Sequence, residues 1–165
     1  MSISDLRLSR FKKIHMVGIK GAGMTALAEL LLRQGAVVTG SDVEEVFFTD
    51  PILKKLGITV SEKFQPKNIP ASADLIVYST AYTREKNKEL AAAFEKGIPV
   101  LSYPEALGAL TQEKLTLAVC GTHGKTTTSA LLSDTLKLCG KDPSAIVGSR
   151  IMSWGGNALS GSGEY

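Results

Sequence analysis

The chain has 165 residues, a length that fits one domain or one domain and part of a second. Its 19 Lys and Arg residues against 16 Asp and Glu residues leave a net charge of +3, too small for the electrostatic footprint of a nucleic-acid-binding protein. The hydrophobic fraction of 44% and the charged fraction of 21% are typical of a globular protein and exclude a disordered one. Two cysteines exclude a disulfide framework, and 16 glycines are the one compositional excess.

The N-terminal part has the pattern of neither a signal peptide nor a membrane span. The apolar stretch after Lys13 is interrupted by His15, Lys20 and Glu29. No window therefore reaches the roughly 18 uncharged apolar residues that a spanning helix needs. We expect a reduced, cytoplasmic setting and no membrane partner.

Strands and helices are predicted to alternate along the first 111 residues. Met24, Leu27, Ala28 and Leu31 fall on one face of a helix that Gly35 ends. The predicted strands are 13–18, 36–40, 58–60, 74–78 and 98–101. The predicted helices are about 22–33, 50–56, about 85–96 and 104–110. Short loops between such elements indicate an α/β fold with a parallel sheet that is doubly wound, with helices on both faces.

A second unit is predicted to begin near residue 112. A buried strand over 115–120 leads into a glycine turn, and a helix over about 125–138 follows, ended by Gly140. The remaining residues are rich in glycine. Because one strand and one helix cannot bury an independent core, we expect residues 112–165 to be an incomplete domain.

The first glycine turn lies between a predicted strand and a predicted helix. Gly18, Gly21 and Gly23 would let a diphosphate approach the backbone N–H groups at the helix N-terminus. Their spacing is GxxGxG, whereas dinucleotide-binding dehydrogenases have GxGxxG. Asp42 ends the second strand, where a carboxylate can reach the sugar or base of a nucleotide. A nicotinamide dinucleotide fits the same pattern, and so do glycines that serve only helix–strand packing.

The second glycine turn predicts an ATP site. Lys125 would neutralise the β- and γ-phosphates of ATP, and the Thr126 hydroxyl can ligate Mg²⁺. The P-loop pattern GxxxxGK[ST] requires a glycine at position 119, where Val119 stands, so a shorter loop that begins at Gly121 is implied. We interpret His123 as a spacer or hydrogen-bond donor. The residues expected to bind ATP are Gly121, Thr122, His123, Gly124, Lys125, Thr126 and Thr127.

Two such turns in series resemble the Mur ligases over residues 11–165. The matching segments are HMVGIKGAGM at 15–24, GSD at 40–42, VYSTA at 77–81, GIPVLS at 97–102 and GTHGKTTT at 121–128. The short loop GTHGKTTT is a form found in the family, which accounts for Val119. His123 and the first turn favour the branch that adds L-alanine, and Lys20 departs from the commoner glycine. Ligases that attach a recycled peptide to the same nucleotide sugar are a close alternative.

The resemblance implies a fold and an activity. Residues 11–111 would be the Rossmann-like domain that holds the UDP part of UDP-N-acetylmuramate. Residues 112–165 would be the truncated start of a central P-loop ATPase domain. In peptidoglycan precursor synthesis, such a ligase uses ATP to convert the lactyl carboxylate into an acyl phosphate, which L-alanine attacks. An acidic segment with another Mg²⁺ ligand would follow Tyr165, so we expect this chain to bind the UDP-sugar and not to ligate it.

The resemblance also implies roles for single residues. The UDP diphosphate would contact the backbone amides of Gly21, Ala22, Gly23 and Met24. Asp42 would approach the uridine, Ser79 and Thr80 would flank the same ligand, and Lys125 would be the catalytic residue. Asn157 would lie near the active site or in a plain loop.

Two functions from other classes stay open. An NAD(P)-dependent oxidoreductase is supported by the first turn and Asp42, but hydride transfer has no use for a second phosphate-binding turn. A non-catalytic nucleotide-binding module is compatible with both turns.

Overall fold

The computed structural model describes residues 6–165, and most of its strands belong to one parallel sheet. The strands are β1 (Lys13–Val17), β2 (Val37–Ser41), β3 (Val60–Ser61), β4 (Leu75–Tyr78) and β5 (Val100–Ser102). They are arranged in the order β3-β2-β1-β4-β5, and all neighbouring pairs are parallel. The winding reverses between β1 and β4, so a crevice opens at the carboxyl ends of these two strands, where open α/β sheets bind ligands.

Helices cover both faces of this sheet, as predicted. They are α1 (Ala22–Arg33), α2 (Asp50–Lys55), α3 (Lys88–Glu95) and α4 (Tyr103–Thr111). On one face, Ile14 of β1 belongs to a buried cluster with residues of α1, α2 and α4. On the other face, Val17 and Ile76 contact Ala93 of α3. Within residues 6–165, no helix is long and apolar enough to cross a membrane.

The ends of these helices follow from local chemistry. Gly35, Gly57 and Gly97 have positive φ angles and end α1, α2 and α3, as the sequence predicts. The third helix starts later than predicted because the Asn87 side chain accepts hydrogen bonds from two N–H groups of its first turn. A capping box between Ser102 and Glu105 starts α4.

The predicted strand over 115–120 is wrong. These residues have no regular secondary structure, and Leu115 and Leu117 are 56% and 51% exposed. A strand needs the hydrogen bonds of a neighbouring strand, and residues 6–165 contain no strand beside this segment, although the Leu115 N–H donates to the Glu164 carbonyl at 2.8 Å. The next helix, α5 (Lys125–Leu138), has the predicted bounds.

The glycine-rich region after α5 contains a hairpin that the sequence does not predict. Its antiparallel strands are β6 (Ala145–Ile151) and β7 (Gly156–Leu159), joined by a short 3-10 turn and by Gly155, which has a φ of 72°. β6 packs against both α1 and α5, and β7 packs against α1. The Trp154 indole also donates to Asp134 of α5 at 2.8 Å. The hairpin therefore joins α5 to the parallel-sheet domain.

Candidate functional site

The first glycine turn lies at the carboxyl end of β1 and opens into α1. The N–H groups of Gly18 and Ile19 both donate to the Ser41 carbonyl, at 2.8 and 3.2 Å, which ties the turn to the end of β2. The backbone N–H groups of residues 22–24 make no hydrogen bond within residues 6–165. Such groups and the helix dipole form an anion-binding site. Of the predicted diphosphate donors, only the Gly21 N–H has an acceptor among the described residues, the Gly18 carbonyl at 3.5 Å.

The glycines of this turn have different reasons to be glycine. A Cβ atom on Gly18 would lie 2.6 Å from the Tyr82 ring, and one on Gly23 would lie 2.6 Å from the Tyr103 ring. Close packing against these two rings is therefore sufficient to explain why residues 18 and 23 are glycines. Among the non-neighbouring atoms of residues 6–165, the nearest one to a Cβ atom on Gly21 would be the Gly18 carbonyl oxygen, at 3.7 Å. Packing does not require a glycine there.

Asp42 is buried beneath the turn, and its carboxylate is already hydrogen-bonded. Oδ2 accepts from the Lys20 N–H at 2.6 Å, and Oδ1 accepts from the Val43 N–H at 2.8 Å and from the Tyr82 hydroxyl at 3.1 Å. Burial and the Asp42 charge raise the pKa of Tyr82 to about 12, so its hydroxyl stays a donor. Asp42 therefore organises the turn. Its approach to a uridine stays a prediction.

Ser79 and Thr80 follow β4 at the same edge of the sheet. The Ser79 N–H donates to the Val17 carbonyl at 2.9 Å, and its Cβ lies beside Gly18. Thr80 is exposed to solvent. The structure thus places Ser79 against the first turn and Thr80 just outside it.

The second glycine turn is exposed and ends at the N-terminus of α5. Gly124 caps the helix with a φ of 77°, which favours glycine. The N–H groups of residues 122–127 make no hydrogen bond within residues 6–165. The Lys125 ammonium folds over the loop and donates to the carbonyls of Gly121 at 2.6 Å and Thr122 at 3.1 Å. Free amides and a positive charge therefore converge on one small volume.

These residues fit the triphosphate of ATP, since amides and an ammonium group are the usual phosphate ligands of such loops. They offer less to Mg²⁺. The half-buried Thr126 supplies one hydroxyl, and residues 6–165 contain no cluster of three His, Cys, Asp or Glu side chains that could hold a metal ion. Phosphate oxygens and water would have to complete the coordination of Mg²⁺.

The hairpin brings the two turns close to each other. The Asn157 amide nitrogen in β7 donates to the carbonyl of Ala22 at 2.8 Å and to that of Val147 at 3.2 Å. The next residue of β6, Gly148, lies beside Thr126: a Cβ atom there would be 3.7 Å from its hydroxyl. The start of α1 and the start of α5 therefore lie beside neighbouring residues of the hairpin, Asn157 and Gly148. The sequence left open whether Asn157 lies near the active site or in a plain loop. The structure places it against the first turn.

Sequence reasoning missed a buried polar cluster behind the first turn. His15 Nε2 lies 2.7 Å from Glu89 Oε1, which also accepts from the Ser41 hydroxyl at 2.6 Å. Burial would raise the pKa of Glu89, but hydrogen bonds from His15, Ser41 and the Gln65 N–H hold it below its usual value. The cluster fixes Ser41, whose carbonyl holds the turn. The sequence signal that could have revealed this cluster is His15, a histidine inside the apolar strand β1.

A cavity of about 410 Å³ lies between α4, residues 115–119, α5 and β6. Its lining is mainly apolar and includes Leu107, Leu110, Leu117, Leu132, Leu136 and Val147. Tyr103 and Gly23 line it as well, so the cavity reaches the helix that opens the first site.

Known proteins resemble this chain in sequence and in fold. The family model described as Mur ligase family, catalytic domain, matches residues 13–115. The UDP-N-acetylmuramate--L-alanine ligase of Desulfitobacterium hafniense is 50% identical over 153 residues, which are 92% of this chain and 33% of that protein. The chain thus spans about a third of the length of such relatives.

Two solved structures superpose on most of the chain. The UDP-N-acetylmuramate-alanine ligase MurC from Thermotoga maritima has a TM-score of 0.82 and 34% identity, over 92% of this chain and 35% of that one. The UDP-N-acetylmuramate:L-alanyl-gamma-D-glutamyl-meso-diaminopimelate ligase from Neisseria meningitides has a TM-score of 0.81 and 31% identity, over 91% and 47%. Since the family model covers more than half of the residues, the chain belongs to the Mur ligase family.

Proposed function

We propose that this chain is the nucleotide-binding front part of an ATP-dependent, amide-forming ligase of peptidoglycan precursor synthesis. The observation that carries the proposal is the arrangement of two helix N-termini, each with free backbone N–H groups, on one hairpin. Two phosphate-bearing ligands bound there would lie near each other, as phosphoryl transfer between them requires.

The proposal assigns a domain to each turn. Residues 11–111 form the UDP-binding domain, which is supported by the end of the parallel sheet at β5 and of its last helix at Thr111. Residues 112–165 form an incomplete start of the P-loop ATPase domain. Two observations support this assignment: no strand of the described residues pairs with segment 115–120, and the relatives are about three times as long.

The UDP-N-acetylmuramate site is proposed at the start of α1. The N–H groups of Ala22, Gly23 and Met24 donate to the diphosphate, and the space beside Gly21 lets it approach. Ser79 and Thr80 flank the ligand. Because Asp42 already accepts three hydrogen bonds, its contact with the uridine uses the remaining acceptor capacity of the carboxylate.

The ATP site is proposed at residues 121–127, with Lys125 as the catalytic residue and Thr126 as the Mg²⁺ ligand. Lys125 exchanges its two carbonyl partners for phosphate oxygens and neutralises their charge. ATP bound there supplies the phosphoryl group that activates the lactyl carboxylate of UDP-N-acetylmuramate as an acyl phosphate for attack by L-alanine. The free N–H groups of the loop orient the phosphates for this transfer.

A recycling ligase that attaches a peptide to the same sugar nucleotide is the second candidate. The TM-scores of 0.82 and 0.81 do not separate it from the alanine ligase. The 50% identity to an alanine ligase favours the first candidate. A protein extended to the length of its relatives, offered L-alanine or the tripeptide as nucleophile, distinguishes the two.

Isothermal titration calorimetry of the 165-residue chain tests the proposal. UDP, UDP-N-acetylmuramate, Mg²⁺-ATP and NADH are the ligands. We expect the first three to bind and NADH not to bind. Lys125→Ala should abolish ATP binding and leave UDP binding unchanged, while Lys141→Ala, at an exposed lysine beyond the same helix, serves as the control. Binding of NADH without binding of UDP would overturn the ligase proposal and favour an NAD(P)-dependent oxidoreductase. An extended protein that binds both nucleotides and forms no amide bond would favour a non-catalytic module.

A further inference from the structure

We infer that Lys20 is a positioning residue, which holds residues 43–50 in place as the rim of the first nucleotide site. We call this segment the rim loop. The inference rests on the proposed function, because it concerns the binding of UDP at the first turn. A lysine within a phosphate-binding turn is expected to face the phosphate. Here the side chain turns away from the ligand side and is only 2% exposed.

The Lys20 ammonium group is surrounded by the rim loop. It donates to the carbonyls of Val43 at 3.0 Å and Glu45 at 2.9 Å, and it lies 3.2 Å from Asp50 Oδ1. Three acceptors match the three N–H groups of an ammonium ion. Removal of this buried charge would lower the free energy of unfolding, because each of its three partners would be left without a donor.

The backbone of Lys20 holds the two ends of the rim loop. Its N–H donates to Asp42, which precedes the loop, at 2.6 Å, and its carbonyl accepts from the Thr49 hydroxyl at 2.5 Å. The second oxygen of Asp50 accepts from the Phe47 N–H at 2.5 Å. One residue of the glycine turn thereby fixes the start, the middle and the end of the loop.

The rim loop would be unstable in this shape without such an anchor. Val46 is 90% exposed and Phe48 is 52% exposed, so burial of these apolar side chains does not hold the loop in place. The loop follows β2 at the carboxyl edge of the sheet, next to Asp42 and the turn. Its position therefore shapes the side of the site that takes the nucleoside, whereas the diphosphate meets the start of α1.

The test compares Lys20→Met with a variant of Lys63, a lysine that follows β3 and pairs with the rim loop from outside it. Lys63 forms an ion pair with Glu44 at 3.0 Å, but it is 69% exposed, so Lys63→Met removes a charge beside the rim loop without removing the anchor of the loop. Calorimetry measures the Kd for UDP and for ATP in each variant. We expect Lys20→Met to weaken UDP binding about tenfold or more and to leave ATP binding within about twofold. Lys63→Met should change neither by more than about twofold.

Limited proteolysis supplies a readout that does not depend on the nucleotide. A glutamate-specific protease should cleave Lys20→Met after Glu44 and Glu45 faster than it cleaves the unchanged chain, with the other sites unaffected. If the unchanged chain does not bind UDP, the proposed function fails and the cleavage pattern alone decides the inference.

Asp50→Asn covers the case in which Lys20→Met does not fold. This variant keeps the shape of the side chain, removes the charge that faces Lys20, and leaves one oxygen to accept from either Lys20 or the Phe47 N–H. It should weaken UDP binding severalfold and expose the same cleavage sites. Wild-type UDP affinity with unchanged cleavage in a folded variant would overturn the inference. An equal loss of UDP and ATP binding would overturn it as well, because it would indicate a general loss of stability.

Discussion

At the scale of the residue, the glycines of the first site divide into those that packing requires and one that it does not. A Cβ atom on Gly40 would lie 2.8 Å from the Met16 carbonyl oxygen, and the backbone cannot move away cheaply. A Cβ atom on Gly21 would meet nothing closer than 3.7 Å. Glycine is therefore needed at position 40 for the packing of the fold. At position 21, a requirement for glycine must come from a ligand.

The pair Gly40→Ala and Gly21→Ala tests this division. We expect Gly40→Ala to lower the free energy of unfolding by about 1–3 kcal/mol through overpacking, as measured by urea titration. Gly21→Ala should change it by less than about 1 kcal/mol, yet weaken UDP binding about tenfold because the methyl group occupies the approach of the diphosphate. Unchanged UDP affinity in Gly21→Ala would place the diphosphate elsewhere.

Glu89 makes stability depend on pH in the acid range. Its hydrogen bonds hold the pKa below the ordinary value of 4.5 despite burial. The stabilisation is therefore fully present above the pKa of the unfolded chain and is lost as the pH falls through the lower pKa of the folded chain. We expect Glu89→Gln to be less stable than the unchanged chain at pH 7 and the difference to shrink below about pH 4.5.

Urea unfolding at pH 7 and again at about pH 3.5 measures this effect. Glu95→Gln is the matched control, since Glu95 belongs to the same helix and is exposed. A stability difference for Glu89→Gln that is the same at both pH values would show that the carboxylate is not ionised in the folded protein.

At the scale of the element, predictability followed the strength of the local signal. The approximate bounds predicted for α1 and α5 agree with the structure, because apolar periodicity and closing glycines agree there. The hairpin was missed because Gly148 and Ser149 interrupt the apolar run of β6, and because the stability of the hairpin comes from contacts with α1 and α5. The segment 115–120 has a strand-like apolar pattern, but a pattern cannot show whether a partner strand is present.

Asn157 is expected to hold the hairpin on α1. Asn157→Ala removes the hydrogen bonds to Ala22 and Val147. We expect faster amide hydrogen exchange over residues 145–159 and unchanged exchange in β1 and β4, as measured by mass spectrometry. Ser153→Ala, at an exposed position in the turn of the same hairpin, is the control. If residues 145–159 exchange equally fast in both variants, apolar contacts alone hold the hairpin on α1.

At the scale of the whole molecule, the chemistry of both turns could be predicted, but the neighbours of several side chains could not. The amides at the two helix starts follow from local sequence. Lys20 turns away from the turn, and Asp42 faces Lys20 and Tyr82, because of contacts between residues that lie 22 or more positions apart in the chain. Charge and spacing in the sequence do not determine such contacts. The contacts between Lys20 and the rim loop could therefore not be predicted from the sequence.

The exposed segment 115–120 provides a test of the proposed domain organisation. Leu115 and Leu117 are largely exposed here, and the described residues supply no strand beside them. In a protein extended to the length of its relatives, we expect neighbouring strands to bury both leucines and to protect the amides of 115–120 from hydrogen exchange. Exchange in β1, which is paired on both sides, should be slow in both proteins and serves as the internal reference.

The same extension should restore turnover, because the proposed ATPase domain would then be complete. The 165-residue chain is expected to bind UDP and to release no phosphate, whereas the extended protein should release phosphate only when UDP-N-acetylmuramate and L-alanine are both present. If 115–120 exchanges equally fast in the two proteins, the segment is not a strand of a larger sheet and the boundary near residue 112 is wrong. If protection appears without phosphate release, the domain assignment stands and the proposed reaction does not.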